Sequence, residues 1–489
     1  MMNLALLVDF GSTWTKVRAV DLDQARVVGS AQGPSTVATD ITIGLEHALA
    51  RLHAGLGHVP RYRARLGSSS AAGGLRMVTV GLVRELTAEA ARQAALGAGA
   101  RLVGSYAYRL TRADVQEIEA CRPDILLLCG GTDGGNRDII IHNARALAAS
   151  AYAGPVIVAG NRDAADEVAG ILPGTLFCAN VMPSFNVLDT DPARARIREV
   201  FMNRIVHAKG IDRARGLLDD VVLPTPAAVL EGAELLAAGP TGDDGLGPLV
   251  VVDPGGATTD VHSVGESPAD SGVVRLGLPE PHAKRTVEGD LGMRHNAASI
   301  VESCGANAIA AAAGIDVAQL HALLAQIAAD VERLPESAHE HALDRSLGRA
   351  AIRLAVRRHA GTVETVQTAQ GPVRVQRGKD LSRVATLIGT GGVIVHAPHP
   401  RELLEAALAD RGDPFSLGPR EPRLLIDRDY ALFASGLLAR VDRRAAYELA
   451  RHALRDATSE ASEVSDTAAA PDARSTHAAG SSASSPSVS

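Results

Sequence analysis

Aromatic side chains are scarce in this chain of 489 residues: six Phe, six Tyr and one Trp make up 3% of it. A surface that stacks single-stranded nucleic acid needs exposed rings, so this scarcity argues against that class of protein. The formal net charge is −7, which gives no electrostatic attraction toward DNA, RNA or an anionic membrane. We therefore expect neither a nucleic acid nor a membrane among the partners.

Cysteine is also rare, with four residues, and none of them is in a CxxC pair. Without that spacing the sequence predicts neither a zinc site nor a disulfide framework. The N-terminus has no basic region ahead of its short apolar run, and no stretch of about 20 apolar residues occurs. These absences lead us to expect a cytoplasmic protein.

The two commonest nucleotide motifs are missing, since there is no GxxxxGK[ST] and no GxGxxG that follows a predicted strand. What is present is one pattern that occurs twice. An apolar run over 4–8 ends at Asp9 and is followed by an alternating segment over 16–20. A second run over 249–252 ends at Asp253 and is followed by alternation over 261–264. Each pattern predicts a strand, a loop and a second strand.

The repeated pattern indicates a duplicated α/β chain. A Gly- and Pro-rich cluster near residue 240 separates the halves, so we predict lobes over 1–245 and 246–455. The Ser- and Ala-rich remainder, 456–489, lacks apolar periodicity and is predicted to be a disordered tail. Two further runs that enter Gly-Gly turns, 124–131 and 385–392, are interpreted as equivalent elements of the two halves.

Periodicity predicts the remaining elements. The predicted helices are 41–56, 87–96, 111–121, 317–334 and 343–359. The predicted further strands are 26–29, 61–66, 76–83, 124–129 and 156–159, with a hairpin over 362–376.

The two loops carry the residue types that bind a phosphate and a metal. Glycine lets backbone N–H groups approach a phosphate, small hydroxylated residues add donors, and a lysine balances charge. Carboxylates at strand ends hold water molecules on Mg²⁺. The candidates for phosphate binding are Gly11, Ser12, Thr13, Lys16, Gly255, Gly256, Thr258 and Thr259. Asp9 and Asp253 are the candidates for metal binding and catalysis.

These residues carry a family resemblance. The segments 9–16 and 253–260 resemble the two phosphate loops of the actin/Hsp70/sugar-kinase superfamily, and 387–393 resembles its adenosine loop. With four further blocks, the resemblance narrows to the GlmL/MutL family of glutamate mutase (methylaspartate mutase) accessory proteins, over about residues 3–455. Those blocks are 127–136, 252–262, 287–293 and 429–438.

The resemblance implies a two-lobed actin-like ATPase fold of duplicated ribonuclease H-like domains. It implies ATP and Mg²⁺ between the lobes, with Gly389, Thr390, Gly391 and Gly392 in the adenosine loop. It also implies adenosylcobalamin-dependent mutase subunits as partners, and hydrolysis that drives a conformational cycle. Pro254 departs from the expected apolar strand residue and removes one N–H beside the phosphate.

Glu288 or Asp290 is the candidate general base that positions the attacking water. The alternative is that one of these carboxylates caps a helix running through 293–303. Two other functions also stay open. One is an ATP-dependent amidohydrolase of the hydantoinase/oxoprolinase group, which shares the Gly-Gly-x-Thr-Thr-Asp loop. The other is a small-molecule kinase of the same superfamily, which is less favoured because no Asp has the usual catalytic placement.

Overall fold

The structure is a computed structural model that describes residues 3–11, 14–34, 36, 40–69, 75–208, 217–241, 244–267 and 272–457. Two of the predicted phosphate-binding residues, Ser12 and Thr13, lie outside this part of the chain, as does the predicted tail from residue 458 onward.

Nineteen strands and fifteen helices are described. The strands are β1 Leu4–Phe10, β2 Trp14–Asp21, β3 Arg26–Pro34, β4 Tyr62–Ser69, β5 Leu75–Gly81, β6 Ala100–Ala107, β7 Ile125–Leu128, β8 Val156–Val158, β9 Leu176–Phe177, β10 Asp220–Pro224, β11 Leu249–Pro254, β12 Thr259–Val264, β13 Val273–Leu276, β14 Ala283–Glu288, β15 Thr362–Thr368, β16 Gly371–Arg377, β17 Thr386–Gly389, β18 Arg423–Asp427 and β19 Leu454–Asp456. The helices are α1 Ile41–Leu56, α2 Glu89–Gly97, α3 Arg112–Cys121, α4 Asp138–Ala148, α5 Ala165–Ile171, α6 Asp191–Ala208, α7 Thr225–Ala238, α8 Ala297–Cys304, α9 Ala306–Ala313, α10 Val317–Ala329, α11 Ala338–His359, α12 Gly392–Val395, α13 Pro400–Glu405, α14 Ala431–Leu438 and α15 Arg443–Ala453.

The first sheet has the strand order β10-β4-β1-β2-β3. Strands β1, β2 and β3 form an antiparallel meander, and β4 and β10 lie parallel to β1 on its other side. Strand β1 is buried along its whole length, which explains its continuous apolar run. Parallel pairing of β1 with β4 requires a crossover, and α1 is in that connection.

The second sheet repeats this arrangement, with the order β14-β12-β11-β17-β18-β19. Its first three strands pair antiparallel, β17 and β18 pair parallel with β11, and β19 adds an antiparallel edge. The two sheets thus share a 3-2-1-4-5 topology, so the predicted fold of duplicated ribonuclease H-like domains in a two-lobed actin-like arrangement is confirmed. The lobe boundaries at 245 and 455 stay a prediction.

One interpretation of the repeat is wrong. The segments 124–131 and 385–392 are not equivalent, because β7 belongs to a separate sheet while β17 is the fourth strand of the second sheet. The first-sheet equivalent of β17 is β4, which is also parallel to the strand that ends in the loop aspartate. A buried strand before a Gly-Gly turn occurs in many sheets, and the pattern therefore does not identify its place.

The separate sheet, here called the inserted sheet, lies in the chain between β4 and β10. Its order is β6-β5-β7-β8-β9 and all its pairs are parallel. This is a doubly wound sheet, with its own core on each face. A small fourth sheet, β13-β16-β15, contains the predicted hairpin over 362–376.

Several predicted boundaries shift. Helix α2 begins at Glu89, and a π-helical turn over Arg84–Ala88 precedes it, so the helix predicted from residue 87 is split in two. Helix α10 ends at Ala329 rather than at 334. Strand β19 pairs with β18 and ends at Asp456, one residue beyond the predicted end of the second lobe.

Helices α7 and α14 lie between the two main sheets in one shared core. Leu7 of β1, Val251 of β11 and Leu432 of α14 are all at most 2% exposed there. Burial of each such side chain stabilises the fold by about 1.5–3 kcal/mol, so the two lobes are held by an apolar layer and not only by the chain connection. Among the described helices none alone has the length and apolarity of a membrane span; α9 and α10 reach both only as a pair bent by 92°.

Candidate functional site

The first loop joins β1 to β2 through a tight turn. The Gly11 amide donates to the Trp14 carbonyl at 3.0 Å. A Cβ atom at position 11 would lie 2.6 Å from that same carbonyl oxygen, so only glycine fits here. Trp14, the single tryptophan of the chain, is 43% exposed at the start of β2.

Asp9 lies near the end of β1, opposite Lys16 of β2 in the antiparallel register. Its carboxylate accepts hydrogen bonds from two hydroxyl groups: Ser68 Oγ of β4 at 2.9 Å and Thr225 Oγ1 of α7 at 2.6 Å. Asp9 is 7% exposed. The carboxylate is therefore held in one orientation by a neighbouring strand and by the first residue of a helix that packs between the lobes.

The second loop is anchored through its backbone. The Gly255 amide donates to the Thr258 carbonyl at 2.8 Å and closes the turn. The carbonyl of Gly255 accepts from the Met293 amide, and that of Gly256 accepts from the Arg294 amide. A Cβ atom at position 256 would approach only the Arg294 side chain, at 3.8 Å, so the outer side of this loop is open.

The two threonines of the second loop already have partners. Thr258 Oγ1 donates to Asp260 Oδ2 at 3.1 Å. Thr259 is fully buried, and its hydroxyl donates to the Leu291 carbonyl at 2.7 Å. Phosphate binding by these hydroxyl groups stays a prediction, and for Thr259 it requires this buried bond to break.

The adenosine-loop residues follow β17 and reach back to Asp253. Gly391 has a φ of +84°, and a Cβ atom there would overlap Asp253 Oδ1. Both observations demand glycine at this position. Thr390 donates its hydroxyl to Asp427 Oδ2 at 3.1 Å, and Gly389 and Gly392 flank this turn at the end of β17 and the start of α12.

Acidic side chains from both sheets converge on the gap between the two loops. Asp253 has some exposed surface, yet it lies deep among protein atoms. Loss of solvation there raises its pKa to about 7, with further contributions from Asp260, Asp427 and Asp9, while Lys16 opposes the shift. Asp9 and Lys16 belong to the first sheet, so the charges that act on Asp253 come from both sheets.

Glu288 and Asp290 lie beside the second loop and share one cation. Arg358 Nη1 of α11 donates to both carboxylates at 2.7 Å, and Nη2 donates to Asp290 at 2.9 Å. Burial raises the pKa of Glu288, whereas the Arg358 hydrogen bonds lower that of Asp290. The helix-capping alternative is wrong, because the following helix α8 begins only at Ala297.

Two glycines bring the interlobe helices into backbone contact. A Cβ atom at Gly232 of α7 would overlap the Leu432 carbonyl of α14, and one at Gly436 would overlap the Ala228 carbonyl. Each helix also starts at the site, since Thr225 binds Asp9 and the Ala431 amide donates to Asp427 at 2.7 Å. The starts of α7 and α14 are thus hydrogen-bonded to Asp9 and Asp427.

The sequence did not identify several residues that organise this site. They are Ser68 as a ligand of Asp9, Thr225, Asp427, Arg285 and Tyr430. Ser68 carried a signal as part of a serine run at a strand end, and Tyr430 lies in the block 429–438; the other three carried none. Tyr430 has a left-handed backbone, with φ of +49°, and its ring lies 5.0 Å from Lys16 Nζ.

Two topologically equivalent sheets, with facing loops at the ends of their central strands, define an actin-like two-lobed protein. The model of the MutL protein family matches residues 5–454. Protein MutL from Clostridium tetanomorphum is 45% identical over 444 residues, which cover 90% of this chain and 96% of that protein. The chain therefore belongs to the MutL family, as the sequence predicted.

Two solved structures show distant likenesses to this chain. The nucleotide-free diol dehydratase-reactivating factor is 11% identical, covers 90% of this chain and 99% of its own, and has a TM-score of 0.36. Xylulose kinase from Bifidobacterium adolescentis is 13% identical, with coverage of 92% and 94% and a TM-score of 0.31. We take no functional property from likenesses of this size.

Proposed function

We propose that this protein binds and hydrolyses ATP and acts as a reactivating chaperone for an adenosylcobalamin-dependent carbon-skeleton mutase such as glutamate (methylaspartate) mutase. The observation that supports it most directly is the convergence of Asp9, Lys16 and Asp253 from equivalent loops of two sheets. Membership of the MutL family supplies the expected client.

The side chains present fit ATP with Mg²⁺. Burial is the main cause of the raised pKa of Asp253, and Asp260, Asp427 and Asp9 raise it further with negative charge that a cation would relieve. Within the described residues no group of three or more His, Cys, Asp or Glu is placed to hold a metal by itself. Mg²⁺ takes one or two carboxylates and completes its shell with water and phosphate oxygens.

Each residue then has a defined task. Asp9 and Asp253 would hold the metal, Lys16 would neutralise phosphate charge, and Gly256 leaves room for the phosphate to approach the backbone. When bound, ATP with Mg²⁺ would supply a phosphoanhydride bond. Hydrolysis of that bond and release of the phosphate would remove negative charge from between the lobes. Glu288, with its raised pKa, is the better of the two candidates for taking a proton from the attacking water.

The two lobes can move in response to ATP hydrolysis because the site is hydrogen-bonded to α7 and α14, the two helices that contact each other between the lobes. Asp9 holds Thr225 at the start of α7, and Asp427 holds the first turn of α14. A change in the separation of Asp9 and Asp427 would therefore move α7 relative to α14, the kind of domain closure that converts ligand chemistry into motion. We propose that this motion opens the client so that damaged cobalamin can leave.

The test is recovery of a mutase that has been inactivated by cobalamin damage, measured with the purified full chain, ATP, Mg²⁺ and fresh adenosylcobalamin. We expect activity to return only when ATP and this protein are both present. Gly256→Val should abolish the recovery, because the added side chain occupies the open side of the second loop. Arg349→Gln, at an exposed position of α11, is the matched control and should leave the recovery unchanged.

Failure of the wild-type chain to bind or hydrolyse ATP in the presence of the mutase would overturn the proposal. Turnover that is stimulated by hydantoins or oxoproline, instead of by the mutase, would replace the chaperone function with the amidohydrolase function.

A further inference from the structure

One cavity is lined by several cationic side chains and by no residue of the two phosphate loops. It has a volume of about 740 Å³ and lies between β2 and β3 of the first sheet and the β18–β19 edge of the second. We call it the basic groove, and its basic residues are Arg18, Arg26, Arg428, Arg451, His452 and Arg455. Asp429 is the one carboxylate on its wall.

Four arginines of the groove, Arg26, Arg428, Arg451 and Arg455, are exposed. They differ from the largely buried arginines of Arg198–Glu231, Arg285–Asp260 and Arg294–Asp344, which are paired with carboxylates. In the part of the chain that the structure describes, Arg26, Arg428, Arg451 and Arg455 form no ion pair. Like charges gathered around one cavity repel each other, in a chain that is acidic overall. An anion in the groove would remove that repulsion.

The floor of the groove is closed by packed side chains. Arg18 is 8% exposed, and its Nη1 donates to the Tyr430 carbonyl at 2.8 Å across the lobes. The guanidinium also lies 5.3 Å from the Phe433 ring. Tyr430 holds a left-handed backbone, an unfavourable conformation that persists where surrounding structure imposes it. Tyr430 also lies beside the adenosine loop, since its Oη is 3.4 Å from the place that a Cβ atom would take at Gly392.

We propose that the basic groove is a second ligand site, which binds a phosphate ester or polyphosphate carrying two or more negative charges. Guanidinium groups bind phosphate oxygens in pairs of parallel hydrogen bonds, and several of them match a multiply charged ligand. The volume is that of a site for a small molecule or nucleotide-sized ligand. Since Arg26 comes from one lobe and Arg428 from the other, the ligand would bridge the lobes.

The test uses pyrophosphate as the probe, by isothermal titration calorimetry on the full chain at fixed ionic strength without Mg²⁺. We expect the double variant Arg26→Gln/Arg428→Gln to weaken one binding component at least tenfold. Neither side chain has a hydrogen-bond partner in the described structure, so the fold should be unaffected, and thermal unfolding checks this. Arg349→Gln/Arg411→Gln removes the same charge from exposed positions outside the groove and should change nothing.

The inference does not depend on nucleotide binding at the loops. Gly256→Val should therefore remove any component that belongs to the phosphate loops and leave the groove component intact. The groove affinity should also fall as ionic strength rises.

Three results would overturn the proposal. The first is that no component responds to the groove variants. The second is that citrate competes as well as pyrophosphate, which would show a general polyanion site. The third is that pyrophosphate binds only when the chain is ended at Ala457. That result would identify the acidic segment beyond it, with Glu460, Glu463 and Asp466, as the occupant.

Discussion

Arg285 and Asp260 form a buried ion pair that joins the second phosphate loop to the inserted sheet. Arg285 Nε donates to Asp260 Oδ1 at 2.8 Å, and the side chains are 3% and 13% exposed. Arg285 Nη1 donates to the carbonyls of Leu96 and Ala100 at 3.1 and 2.9 Å. Because Thr258 of the loop donates to Asp260, only two side chains separate the loop from the inserted sheet.

Replacement of Arg285 should destabilise the protein strongly. Arg285→Met leaves the Asp260 carboxylate buried without its partner, and we expect the free energy of unfolding to fall by about 3–5 kcal/mol. Urea unfolding measures this through the midpoint and slope. The double variant Arg285→Met/Asp260→Asn should regain part of the loss, since no unpaired charge remains. Equal losses in the single and double variants would show that the ion pair is not buried in solution.

Asp253 should make nucleotide binding depend on pH. Burial and nearby carboxylates raise its pKa to about 7, so it is protonated below that pH and ionised above it. Binding of Mg²⁺–ATP requires the ionised form, and we expect the affinity to increase as pH rises from about 6 to about 8. Titration calorimetry across this range measures it, and Asp253→Asn should be weak and independent of pH. A wild-type affinity that is flat across the range would contradict the assignment.

The Asp253 carboxyl group should make the folded protein less stable as pH rises. Its pKa in the folded state lies above the value of 3.8 expected for an unfolded Asp, so its contribution to stability is complete below that value. The contribution is lost as pH rises through about 7, because the folded state must then hold a buried negative charge. Unfolding experiments in a pH series, with Asp253→Asn for comparison, should show a smaller decline for the variant. An identical decline in both proteins would assign it to other groups.

The contact between α7 and α14 should not tolerate a methyl group at position 232. Gly232→Ala in α7 places a Cβ atom against the Leu432 carbonyl, and we expect a loss of about 1–3 kcal/mol in the free energy of unfolding. Gly55→Ala in α1 is the matched control, because a Cβ atom there has no neighbour within 4 Å. That variant should gain about 0.5–1 kcal/mol from helix propensity. If both variants gain stability, the two helices do not cross in contact.

Glu288 and Asp290 should differ in their effect on turnover. Glu288→Gln removes the carboxylate whose pKa burial raises, and we expect ATP hydrolysis to fall about 10²-fold or more. Asp290 is held by two Arg358 hydrogen bonds and has a lowered pKa, so Asp290→Asn should have the smaller effect. Single-turnover rates at saturating ATP compare the two. The opposite ranking would assign the base to Asp290.

Much of the fold could be predicted because its signals are local. The run over Leu4–Phe10 is buried throughout, and α1 has an Asp40 cap at its start and a left-handed Gly57 at its end, as the sequence predicts for a helix over 41–56. The two strand–loop–strand units were recognisable because each loop lies within one short stretch of chain. The duplication therefore followed from the sequence.

The partners of the site residues could not be predicted, because they are distant in the chain. Thr225 binds Asp9 across 216 positions, and Arg285 reaches Leu96 across 189. Such contacts depend on how the inserted sheet and the interlobe helices are placed, which no local pattern encodes. The confusion of β7 with the equivalent of β17 has the same origin, since both are short buried strands before glycine pairs.

Trp14 gives the first loop an intrinsic optical reporter. The chain has no other tryptophan, and the indole stands half-exposed at the residue whose carbonyl closes the Gly11 turn. Fluorescence excited in the indole absorption band therefore comes from Trp14. The six tyrosines contribute little when excitation is at long wavelength. Occupancy of the loop can be followed by stopped-flow fluorescence in the unlabelled wild-type protein, without a dye that would disturb the lobes.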